Sequence, residues 1–149
     1  MADAGITLAV NGEKSFKTAL EAVKAQMKEL NSEMKLAVSE LTGVDNDESR
    51  TAKQTDILTR SIQTAEGKVA LLTQKYNQQN TKVNDLKQNL QKVIKENGEN
   101  SKEAISAQNA VNRQIKAVSN LSSELNSSKT TLNQYRSQLD KIGKSADDM

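Results

Sequence analysis

The sequence predicts an all-α fold: long heptad-patterned helices forming an extended coiled coil, preceded by a short N-terminal β-strand. Three observations predict it. Apolar residues recur in alternating steps of four and three from Phe16 to Ile142, the a/d spacing of a coiled coil. Proline is absent, so the strongest helix breaker is missing. Two Tyr and one Phe are the only aromatic rings in 149 residues, which argues against a thick globular core. The alternative arrangement of the same helices is an antiparallel helical hairpin or a three-helix bundle.

Residues 1–12 form the strand and its turn. Ile6, Leu8 and Val10 share one side of an extended segment, as alternation requires. Asn11-Gly12 then ends it and can cap a helix. So short a strand is not stable alone.

Helix 1 is expected over 13–42, on the seam Phe16, Leu20, Val23, Met27, Leu30, Met34, Ala37, Leu41. An acidic hinge or loop follows at 43–50. Helix 2 is expected over 51–96, carrying Thr55, Leu58, Ile62, Ala65, Val69, Leu72, Tyr76, Gln79, Val83, Leu86, Leu90 and Val93. A second hinge takes 97–101, where Asn97-Gly98 resembles a helix stop and Asn100 with Glu103 resembles a capping box. Helix 3 spans 102–142 with Ala104, Ala107, Val111, Gln114, Val118, Leu121, Leu125, Ser128, Leu132, Tyr135, Leu139 and Ile142. Polar residues 143–149 form a frayed tail.

Counting in sevens from Leu20 as position a, the frame passes Leu41, Ile62, Leu90, Asn97 and Val111 and reaches Leu139 without a slip. Unbroken phase favours kinks in one rod over turns between antiparallel helices. Local chemistry at the two hinges favours turns. Asn97, at position a, is the expected register device.

Composition excludes most chemistry. There is no His and no Cys, so the commonest general base, thiolate metal sites and cysteine nucleophiles are all missing. Asp45, Asp47 and Glu48 fall short of a calcium loop. Carboxylate pairs such as Glu29 with Glu33 read as solvated helix faces. No catalytic, cofactor-binding or metal residue is expected, and the chain is read as a non-enzyme needing no cofactor.

A net charge of +2, from 21 basic and 19 acidic residues, gives no footprint for specific nucleic-acid binding. Lys68, Lys75 and Lys82 recur in sevens and read as a solubilising flank. No apolar run reaches the length of a membrane span. The opening five residues lack the basic and apolar regions of a signal peptide. A stripe this thin and polar is marginal on a lone helix and gains stability by burial. Self-association of two or three copies is the simplest burial, which makes the a/d residues an expected oligomer seam.

The opening Gly5-Ile6-Thr7-Leu8-Ala9-Val10-Asn11-Gly12-Glu13-Lys14-Ser15-Phe16-Lys17-Thr18-Ala19-Leu20 resembles the start of tail tape measure proteins from long-tailed phages and prophages of Gram-positive bacteria. Leu30-Asn31-Ser32-Glu33-Met34-Lys35-Leu36 is also similar to that family. The resemblance covers roughly the first forty residues and is generic beyond. It implies a structural protein, an extended helical ruler that sets tail length during assembly. It implies tail tube protein and tail assembly chaperones as partners, and residence in the virion tail lumen after assembly in the host cytoplasm. Family members are usually several times longer, so the chain is expected to be an N-terminal fragment or a truncated product.

Overall fold

The computed structural model describes residues 13–41 and 47–147. They form three helices: α1 (Glu13–Leu41), α2 (Asp47–Asn97) and α3 (Lys102–Asp147). The all-α expectation holds for them. The expected strand at 6–10, its turn at 11–12, hinge residues 43–46, the side chain of Leu41 and the last two residues of the tail lie outside the described residues. α2 begins four residues earlier than the heptad pattern suggested, and α3 runs through Gly143 to Asp147.

The break at 97–101 is a reversal and not a kink. Gly98 has φ 93°, and its N–H donates to the Ile94 carbonyl at 2.8 Å. That is a helix end closed by a left-handed residue, where glycine has no Cβ penalty. The next helix starts four residues later, at Lys102. The Ala104 N–H donates to the Ser101 hydroxyl at 3.1 Å, so Ser101 is the N-cap. The Ser101 hydroxyl in turn donates to the Gly98 carbonyl at 2.8 Å. The N-cap is thus one residue later than expected, and Ala104 at N3 leaves a single cap in place of the expected box of Asn100 and Glu103. Charges suit both ends, with Lys95 in the last turn of α2 and Glu103 in the first turn of α3, opposite in sign to the helix dipole there.

The chain divides into two compact units. Unit 1 takes residues 1–71 and 127–149, and unit 2 takes 72–126. Among its described residues, unit 1 packs α1, the first half of α2 and the last part of α3 together. Leu30 and Ala37 of α1 form a buried cluster with Ile57 of α2, and Met34 packs against it. Unit 2 is a helical hairpin, in which Gln114 of α3 meets Gln79 of α2 across 35 residues of sequence. Within each unit, contacts between distant segments replace the end-to-end continuation that a rod needs. The physical reason is burial: a single copy can cover its stripe only by folding back on itself.

Candidate functional site

The a/d seam is the feature that organises both units. In α1 its d line, Phe16, Val23, Leu30 and Ala37, is buried at every seventh residue, while Leu20, Met27 and Met34 on the a line are half-buried. In α3 no a/d position from Ala104 to Ile142 is exposed, and Ala104, Val111, Leu125, Ser128 and Leu132 are fully buried. In α2, Leu58, Ala65, Leu72 and Val83 are buried, and Thr55, Ile62, Val69, Tyr76, Gln79, Leu86, Leu90 and Val93 are half-buried. The expected oligomer seam is thus covered, at least in part, inside one copy.

The first half of α2 carries a second buried line that the heptad reading missed. Ile57, Thr64 and Leu71 repeat in sevens at position c, with Ser61 at g, and all four are buried. Ile57 is 1% exposed and Leu71 0%. The cause is a middle helix with two neighbours in unit 1, and two ion pairs mark its two flanks. Arg60 pairs with Glu33 of α1 at 3.2 Å, on the side of the c/g line. Glu66 pairs with Arg136 of α3 at 2.9 Å, on the side of the a line. The sequence signal was present in the doublets Ile57-Leu58 and Leu71-Leu72, where two lines run side by side. Burial of Lys75 also corrects the expectation that Lys68, Lys75 and Lys82 form one solvated flank.

Arg60 engages two carboxylates. It donates to both Glu33 oxygens at 3.2 Å and to Asp56 at 3.0 and 3.2 Å. The Glu33 hydrogen bonds, with those to Asp56, hold its guanidinium more firmly protonated than free arginine, against some desolvation. The pairs are largely exposed, so they orient the helices more than they stabilise them.

Asn97, the expected register device, is exposed at the end of α2. The polar pair on the seam of unit 2 is Gln79 with Gln114. The Gln114 amide donates to the main-chain carbonyl of Gln79 at 3.3 Å and also to its side-chain oxygen.

Among the described residues, each unit carries a cleft. In unit 1 a cleft of about 350 Å³ is lined from all three helices: Asn31, Met34 and Lys35, then Leu58 and Ser61, then Tyr135 and Gln138. The Tyr135 hydroxyl donates to Asn31 Oδ1 at 3.4 Å, and burial pushes its pKa above the ordinary tyrosine value. In unit 2 a cleft of about 470 Å³ lies beside the turn, lined by Asn89, Val93, Lys102, Glu103, Ser106, Ala107 and Ala110. Small side chains on α3 leave that space. Neither cleft joins a nucleophile to a base. Among the described residues no group of His, Cys, Asp and Glu could hold a metal ion, and no helix is long and apolar enough to cross a membrane.

Compared with protein-family models, curated proteins and solved structures, the chain matches none.

Proposed function

We propose that this chain is a tail tape measure protein: a non-enzymatic, extended helical ruler in the lumen of a phage tail tube. Its partners are further copies of itself, tail tube protein and tail assembly chaperones. It works in the virion tail lumen after assembly in the host cytoplasm. The observation that carries the reading is the a/d frame, which keeps one phase from Phe16 to Ile142. If Asn97–Ser101 became helical, the stripe that now closes the hairpin would run on as one coiled-coil seam. No residue of that segment forbids a helix, since none is proline. The resemblance of residues 5–20 to the family supports the same reading.

Folding back then belongs to the free chain, and extension to the chain enclosed with its copies. A ruler needs length proportional to residue number, which a continuous helix provides at about 1.5 Å per residue. The test is tail length. Four heptads inserted in frame within α3 are expected to lengthen assembled tails by about 42 Å, measured by electron microscopy. Tails of unchanged length overturn the proposal.

A second reading is a coiled-coil scaffold or interaction protein of another kind, in the cytoplasm or secreted. The Arg60–Glu33 and Gln79–Gln114 contacts favour it, because they belong to a folded-back working form. Assembled particles lacking the chain would support that reading.

A further inference from the structure

We infer that unit 2, in its folded-back form, carries a self-association face on the e flank of its two helices, where a second copy of this chain docks to complete a four-helix bundle. This goes beyond the tail reading and does not depend on it. It also differs from the seam-sharing of an extended form, because each copy keeps its own a/d seam closed.

The two flanks of the hairpin differ in chemistry. In an antiparallel helix pair, e positions face e and g positions face g. The g flank is charged by Lys75, Lys82, Glu96, Glu103 and Glu124. On the e flank only Lys87 is charged, and Ile94 and Ile115 stand there 36% and 44% exposed. Depletion of charge around exposed apolar residues is the composition of an interface core. At two e positions, Ile94 and Ile115 widen the a/d stripe beyond what a two-helix seam uses. Leu90 and Val118, at a positions beside that flank, remain half-buried, since two helices leave their shared seam open along its sides.

The occupant follows from charge and area. A flank with a single charge offers no match to an acidic or basic partner. Against itself, across a two-fold axis, it sets neutral surface on neutral surface. Two helices about 10 Å across and about 38 Å long offer about 750 Å² per copy. Doubled, that is about 1,500 Å², inside the range of stable interfaces. Lys87 can run its stem along the edge and leave its ammonium in water.

The test is sedimentation equilibrium of the full chain. The expected mass is twice the 16.3 kDa of one chain. Ile115→Lys places like charges across the axis and is expected to weaken association about tenfold or more. Asn80→Lys, at an exposed e position that takes no part in the seam, should do the same without disturbing the fold. Asn120→Lys, at an exposed c position on the far side of α3 from that flank, should leave the dimer intact. A mass of one or three chains overturns the inference. So does association lost as readily in Asn120→Lys as in the two flank variants. Neither outcome bears on tail length, so the two proposals fail separately.

Discussion

The side chain of Gln114 reaches across the hairpin and donates to the main-chain carbonyl of Gln79, 3.3 Å away. A carbonyl inside α2 already accepts from its own helix, so this contact ties one helix backbone to the other at one register. A buried or half-buried polar pair usually adds less stability than apolar packing, but a shifted register leaves it unpaired.

Gln114→Leu is therefore expected to raise stability by about 0.5–1 kcal/mol through added apolar burial, while loosening register. Urea unfolding measures the first effect. Cross-linking between cysteines introduced on α2 and α3 measures the second, with extra pairings expected in the variant. A loss of stability would show that the pair holds the hairpin together energetically.

Two glycines should respond with opposite signs. Gly98 has positive φ and open space where a Cβ would stand, so Gly98→Ala is destabilised by conformation alone, by about 1 kcal/mol. Gly67 lies within α2, again with open space, so Gly67→Ala should stabilise by about 0.5–1 kcal/mol. Thermal melts of the two variants decide it, and equal signs would contradict the turn geometry.

Leu71 tests the second buried line of α2. Because it is fully buried, Leu71→Ala is expected to cost about 3 kcal/mol, and half-buried Leu86→Ala about 1–1.5 kcal/mol. The order is the checkable content. A heptad seam alone predicts the reverse, since Leu86 occupies d and Leu71 occupies c.

Tyr135 gives a pH dependence. Its pKa in the folded chain is raised by burial, so folding favours the protonated phenol. That contribution is present in full below the ordinary tyrosine pKa of about 10 and is lost as pH rises through the folded value. Tyr135→Phe should change stability little at pH 7, where the 3.4 Å bond to exposed Asn31 is weak. It should flatten part of the loss above about pH 10. Paired denaturation curves at pH 7 and above pH 10 measure the difference, and an identical alkaline loss in both proteins would remove Tyr135 as a cause.

Helix content was legible in the sequence because the absence of proline and the four-three spacing point the same way. The a/d line was legible too, as Val23, Leu30, Val83 and Val111 are buried. The heptad phase misled. Equal steps outward from the turn lead from Val93, Leu90 and Leu86 to Ala104, Ala107 and Val111, so a and d positions fall on the facing sides of both arms. A reversal centred there keeps the frame in phase as well as a rod does. Phase therefore could not separate the two, and the local stop at Asn97-Gly98 carried the better signal. The c/g line was hidden because Ser61 and Thr64 look like solvent-facing residues until a second neighbour covers them. The clefts were not legible at all, since they arise where side chains of separate helices fail to fill the space between them.

The division of the chain into a local hairpin and a discontinuous three-helix unit has a consequence for the order of folding. Unit 2 closes around the Gly98 turn, and its contacts can form stepwise from there with little loop entropy lost at each step. Unit 1 must bring Asn31 beside Tyr135 over a separation of 104 residues. Contacts that distant in sequence slow folding. The hairpin is therefore expected to form first and α1 to dock last, with refolding of α1 setting the slow phase.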